Sequence, residues 1–394
     1  MKTLLLENAA LVLPTGKTEN ASILIEHNAI SEISFDNRSS KADERIDLSN
    51  TTLYAGFVDI HNHGAVGVDV NTATAEDLRR VSKFLAGRGV TAWLPTFVPD
   101  ANEIYRRVIG AIDEVMETQV NEPTAQIVGV HYEGVFANEK MCGALRPQFF
   151  KTFENGDEVD SLPRLKKGVH LTTLAPEVEN GIELIKELRK QNWIVSIGHT
   201  KADTKILDRA FAAGARHLTH FFNAMTGLHH RDVGVVGWAL TNKEMTFDII
   251  ADGVHVHPQM LRFAVDSKGA GKVSLISDSV APTGLGDGDF QLWGEKVSVI
   301  NGKTQNERGS IAGSVVSMLD AVKQMRAIGF SEMEVSQMAS ANPAKLLGIE
   351  KTHGAIEVGK RAELVALDEN GEIKWTIIGG KIQIGGINSK NSNF

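Results

Sequence analysis

The chain has 394 residues, 42% hydrophobic and 23% charged, a balance that excludes intrinsic disorder and fibrous repeats and allows a large buried core. A formal net charge of -8 argues against nucleic acid or an anionic membrane as the main partner, and no run approaches the ~18 apolar residues of a membrane span, so a small-molecule partner is expected. A lone cysteine, Cys142, forbids an internal disulfide, and the start MKTLLLENAALVLPTGK is too short and too polar for a secretion signal, so a cytoplasmic location is expected.

Residues 1 to about 53 give short alternating segments, TLLLENAALVL, ASILIEH and AISEISF, separated by turn formers, which predicts a small β-structure. From residue 54 the texture changes to eight apolar runs: GFVDIHNHG, VTAWLPTFV, QIVGVHYEG, GVHLTTLAPE, WIVSIGHT, HLTHFFNAM, MTFDIIADGVHV and KVSLISDSV. The segments between them carry helical spacing, as in 75 to 88 with Leu78, Val81 and Leu85, and 181 to 190 with Ile182, Ile185 and Leu188. Strands apolar on both faces, alternating with helices, predict an α/β fold with a closed (β/α)8 TIM-type barrel, an open doubly wound sheet being the alternative.

Residues 285 to 314 read as a hairpin insertion, 315 to 347 as a helical close, and 354 to 386 as short strands that pair with the N-terminal ones. The expected organisation is a barrel over 54–347 and a small β-sandwich domain made from 1–53 and 348–394.

Polar residues gather at the downstream ends of the runs: His61 and His63, His131 and Glu133, His199, His217 and His220, Asp252, His255 and His257, and Asp278. In a barrel these ends share one face, where active sites are built. A lone histidine at a strand end is more often structural, but so many on consecutive strands point to metal ligation, and His61 and His63, two apart, can aim at one point. Imidazoles with a carboxylate suit zinc or a similar divalent ion, and an incomplete shell leaves room for an activated water. Asp278 in LISDSVAPTG is the candidate general base, its bland reading being a helix N-cap. His217 and His257 read as supporting or packing residues and Cys142 as an ordinary one. No Walker loop or dinucleotide fingerprint stands in context.

The motifs GFVDIHNHG, HYEGVFAN, SIGHTKAD, LTHFFNAM, DGVHVHP and ISDSVAPTG, in this order over nearly the whole chain, resemble the amidohydrolase superfamily and, within it, the N-acetylglucosamine-6-phosphate deacetylases. The resemblance implies hydrolysis of the acetamide of N-acetylglucosamine 6-phosphate to acetate and the amino-sugar phosphate. It places metal ligands at Glu133, His199 and His220 and the catalytic aspartate at Asp278. The H-x-H pair, His61 and His63, is present in some members and replaced in others, so one or two ions per subunit are implied. Substrate contacts would fall on Asn223, Ala224, Arg231, His255, Ile311, Ala312 and Gly313. Arg231 would reach the phosphate bound by a neighbouring subunit, making a homodimer part of the site; its planar guanidinium matches phosphate oxygens.

Two departures stand out. Val135 replaces a family proline, and the segment Gly143, Ala144, Leu145 lacks the histidine that touches the acyl group in the family. Losing such a donor costs about 10²–10³ in rate. The expected compensation is a second ion held by His61 and His63. Alternatives are a galactosamine epimer or an unphosphorylated N-acyl substrate, or an inactive barrel serving as a ligand-binding scaffold.

Overall fold

The structure, a computed structural model, describes residues 3–35 and 41–384. Eight parallel strands form the barrel: β1 Phe57–Asn62, β2 Val90–Phe97, β3 Gly129–Phe136, β4 Val169–Leu174, β5 Ile194–Ile197, β6 His217–Leu218, β7 Thr246–Ile250 and β8 Val273–Ile276. Each pairs with its successor. The ring closes where Asn62 bridges Ser279 and the Asp278 amide donates to the His61 carbonyl at 2.9 Å. The alternation read in the sequence is therefore the TIM-type barrel, and the open sheet is excluded.

The strands are buried along nearly their whole length because helices cover them outside and side chains fill them inside. The predicted helices are Ala75–Ala86, opened by a capping box from Thr74 and Asp77, and Gly181–Lys190. The outer layer packs Trp93, Phe97, Tyr105, Tyr132 and Trp193 between sheet and helices. Val58, Ile60, Ala92, Leu94, Leu171, Ile250 and Ile276 make a second cluster with Ala344 and Leu347. Simple alternation would turn His61 away from the side that Ile60 occupies. The pairing of β1 with β2 shifts register between Asp59 and Asn62, and beyond that irregularity His61 joins the imidazoles in the barrel mouth.

Both chain ends build the second unit. Its sheet runs Lys381–Ile384, Ile373–Ile378, Leu364–Leu367, Thr52–Ala55, Thr3–Leu13, Gly16–Glu26, Ala29–Ser34, with Glu44–Asp47 also on Thr3–Leu13. The small β-sandwich encloses its own core, including Leu6, Leu11, Ile23, Leu53 and Leu364. Within the first strand a bulge between Leu6 and Ala9, with Asn8 at φ 61°, lets Leu6 and Ala9 share that core despite their odd spacing. The expected pairing of residues beyond 384 lies outside the described residues. Between β8 and the helix Met318–Ala327, the predicted hairpin is a three-stranded antiparallel meander, Gly288–Leu292, Glu295–Ile300 and Lys303–Asn306. Among the described residues no helix is long and apolar enough to cross a membrane.

Phe247 on β7 is fully buried and stacks on Phe221 with ring centroids 4.1 Å apart, one residue past His220. Phe247→Ala is expected to cost about 3–5 kcal/mol of stability, seen as a lower denaturant midpoint at unchanged slope, because the rigid barrel wall cannot close the cavity.

Candidate metal centre and active site

Glu133, at the end of β3, stands at the middle of the mouth. Its Oε1 lies 3.0 Å from the Nε2 atoms of both His199 and His220 and 3.5 Å from that of His61, while Oε2 lies 3.1 Å from His63 Nε2. The Nε2 atoms of His61 and His63 are 3.0 Å apart, and those of His199 and His220 are 3.1 Å apart. Two groups capable of holding a cation result, His61–His63–Glu133 and Glu133–His199–His220, sharing one carboxylate. Asp278 Oδ1 completes the first side, 3.4 Å from His61 and 3.3 Å from His63.

The backbone bends sharply to deliver these groups. His199, His220 and Asp278, just past β5, β6 and β8, have φ of 49°, 35° and 49°, and Ala224 has 51°. Left-handed conformations at such residues cost on the order of 1–3 kcal/mol each and persist only where the surroundings enforce them. The enforcing contacts are visible. The Asp248 carboxylate accepts the His220 amide through one oxygen and faces His217 Nε2 at 3.0 Å with the other. His199 Nδ1 stands 2.8 Å from the Met141 carbonyl and His63 Nδ1 3.1 Å from the Thr96 carbonyl. A proton on each Nδ1 leaves the Nε2 lone pair free toward the centre. Behind β1, Asp59 accepts from Ser277 Oγ at 2.6 Å and Asn62 Nδ2 at 3.1 Å, fixing the strand end that carries the H-x-H pair.

Electrostatics identify what the site lacks in its own side chains. Burial would push both carboxyls up, but the surrounding imidazoles outweigh it, His61 foremost, holding Glu133 well below and Asp278 below their usual ranges. Burial opposes a proton on His63, yet its hydrogen bonds to Asp278 and Glu133 carry it up to about 10. Among the described residues, every ion pair of these two buried carboxylates is to a histidine. Such a centre calls for a cation. Ligand atoms of a tetrahedral ion with bonds of about 2.0–2.1 Å stand roughly 3.3 Å apart, close to the spacings here, so the residues fit a divalent metal. His131 behaves differently: burial, then the neighbouring His61, drives it well below its ordinary value, and its Nε2 is 2.7 Å from Thr173 Oγ1, so it packs as a neutral ring behind His61.

A cavity of about 290 Å³ opens over the centre, lined by His63, Glu133, His199, His220 and Asp278 together with Leu145, Asn223, Ala224, His255, Trp293, Ile311 and Gly313. His255 Nδ1 lies 2.6 Å from Asp252, which leaves Nε2 for a ligand. The other two sequence candidates stand apart. Ala312 is buried, its amide donating to Thr304 Oγ1, and Arg231 is exposed beside His230 and does not line the cavity of its own chain. His257 caps the helix Pro258–Lys268. A wider cleft of about 430 Å³ near Arg164, Lys166 and His170 lies at the opposite end of β4 and β5, remote from every ligand.

Sequence reasoning missed Asp248 and Trp293. The first had a signal, an acid inside the apolar run MTFDII. The second had one too, a tryptophan where the hairpin turn WG favours asparagine or glycine.

A parallel barrel with a carboxylate shared among imidazoles at the carboxyl ends of its strands defines a metal-dependent hydrolase site. Comparison with known proteins agrees. The sequence profile of the amidohydrolase family matches residues 52–383. The N-acetylglucosamine-6-phosphate deacetylase of Bacillus subtilis is 33% identical over 390 residues, 97% of each chain, and the N-acetylgalactosamine-6-phosphate deacetylase of Escherichia coli O157:H7 is 35% identical over 332 residues, 84% of this chain and 87% of that one. The crystal structure of N-acetylglucosamine-6-phosphate deacetylase from Pasteurella multocida superimposes with a TM-score of 0.90 at 26% identity, covering 97% of this chain and 100% of the other. The chain belongs to the amidohydrolase family and, within it, to the branch of the N-acetylglucosamine-6-phosphate deacetylases.

His199→Ala and His220→Ala are each expected to lower bound metal, measured by elemental analysis of the purified protein. Changing His61 to Gln and His63 to Asn together should remove one equivalent if two ions are held, and an unchanged count would make that pair structural.

Proposed function

We propose that this enzyme removes the acetyl group from N-acetylglucosamine 6-phosphate, giving glucosamine 6-phosphate and acetate. The observation that carries the reading is the buried Glu133 between two histidine pairs with Asp278 beside them, in a chain aligned end to end with a deacetylase of that substrate. A divalent ion, zinc by the chemistry of its nitrogen and carboxylate donors, supplies Lewis acidity and makes water acidic enough to react near neutrality. Glu133, His199 and His220 would hold one ion, and His61 and His63, with Glu133, a second.

Asp278, ionised at neutral pH because its carboxyl sits below the usual range, takes a proton from the attacking water and delivers it to the amide nitrogen as the C–N bond breaks. Asn223, Ala224, His255, Ile311 and Gly313 orient the sugar from the sides of the cavity. Exposed Arg231, outside the cavity of its own chain, suits a role in the neighbouring subunit of a homodimer, where its guanidinium would pair with the 6-phosphate. A cytoplasmic location fits a single free cysteine and a phosphorylated substrate.

A second reading, the galactosamine epimer, is favoured by the 35% identity to the E. coli deacetylase named for it. Acetate release from N-acetylglucosamine and N-acetylgalactosamine, each with and without the 6-phosphate, separates the two; the glucosamine phosphate is expected to give the highest kcat/KM. Asp278→Asn is expected to lower kcat at least ~10²-fold with metal content retained, and activity within tenfold of wild type would reject its assignment.

A further inference from the structure

The meander that follows β8 contains two successive two-residue hairpin turns. One is Asn301–Gly302, with φ of 52° and 72°, the pair that a type I′ turn favours. The other is Trp293–Gly294, with φ of 55° and 84°, so a bulky aromatic residue occupies a left-handed position where glycine or asparagine is at ease. One side of the indole packs on the apolar cluster of Val280, Leu292, Val297 and Ala312 under the meander. The ring also reaches the site: it meets the His63 ring edge-on, centroids 5.3 Å apart, and lines the cavity over the carboxylates.

Leu145 meets it there. Trp293 packs against the cluster of Val98, Ala137 and Leu145. Glycine at 134 leaves room for Leu145 in this rotamer: with φ 68°, a Cβ at Gly134 would stand 2.2 Å from Leu145 Cδ1 and push it aside. Arg308 ties the two pieces together, donating to the Ala144 carbonyl at 3.1 Å while pairing with Glu295, two residues past Trp293. The polar lining, Asn223 and His255, comes instead from the loops after β6 and β7.

We propose that Trp293 and Leu145 form a fixed apolar wall that receives the acyl group and limits it to acetyl. The inference rests on the deacetylase reading above and deepens it. With the carbonyl at the metal ligands and the sugar on the polar side, the acyl methyl meets this wall, and two large side chains leave no room for a longer chain. Trp293 is thereby a specificity residue, and its strained backbone is retained for the contact it delivers.

The test compares N-acetyl-, N-propionyl- and N-butyrylglucosamine 6-phosphate as substrates of the wild type, Trp293→Gly and Leu145→Ala. Trp293→Gly suits the turn, so folding is expected to be kept, with melting temperature and metal content as checks. Each added methylene should cost the wild type roughly tenfold in kcat/KM, and Trp293→Gly should reduce the acetyl-over-butyryl preference at least ~10-fold. Calorimetric titration of the butyryl compound in an Asp278→Asn background, where turnover is slowed at least ~10²-fold, should show tighter binding once Trp293 is replaced. An active wild type whose preference stays within twofold in both variants overturns the wall alone. A wild type that hydrolyses neither these three compounds nor N-acetylgalactosamine 6-phosphate overturns the deacetylase reading and the wall with it.

Discussion

Everything at the mouth of this barrel is arranged around one buried carboxylate. Glu133 lies within 3.5 Å of four imidazole nitrogens, and an isolated anion at such a depth would be prohibitively costly. Its presence therefore requires positive charge from other strands, and the closed ring brings the ends of β1, β3, β5, β6 and β8 to one spot. The barrel and the site impose each other. Closure at Asn62 and Ser279 sets His61 and His63 against Asp278, and the same closure buries the polar network of Asp59 and Ser277 that keeps the strand end in register.

The site is also where the chain departs most from comfortable geometry. His199, His220 and Asp278 share a left-handed backbone, which unassisted side chains avoid. The surrounding hydrogen bonds, from the His220 amide to the Asp248 carboxylate and from His199 to the Met141 carbonyl, over-determine those conformations. Rigid walls behind the ligands, such as the Phe221–Phe247 stack, let such strain persist without relaxing into a looser arrangement.

Much of this was legible in the amino-acid sequence, because apolar runs of strand length alternating with helical spacing leave few folds, and because histidines recurring at run ends have few uses. Equally instructive is what was not. His131 looks like Glu133 in pattern, two residues away on the same face, yet it is held neutral against Thr173, a distinction that depends on neighbours across the barrel. The register shift after Asp59 breaks the simple alternation used to reason about His61. Arg231 and Ala312 follow a motif but not the cavity wall, since a linear pattern carries no information about which side of a loop faces inward. The role of Leu145 was visible only as a missing histidine; its contact with Trp293, almost 150 positions later, emerges from the insertion folding back over the mouth.

The small sheet has a consequence for how the molecule comes into being. Thr52–Ala55 finds its antiparallel neighbour in Leu364–Leu367, more than 300 residues later, so the N-terminal strands leave the ribosome with an edge that nothing yet covers. At synthesis rates of about 5–20 residues per second, that edge stays open for roughly 15–60 seconds while the entire barrel is made. Exposed strand edges invite pairing with other chains. The nascent protein therefore passes through a long interval in which the Thr52–Ala55 edge is open to wrong pairing, and Leu364–Leu367 acts as the clasp that ends the danger.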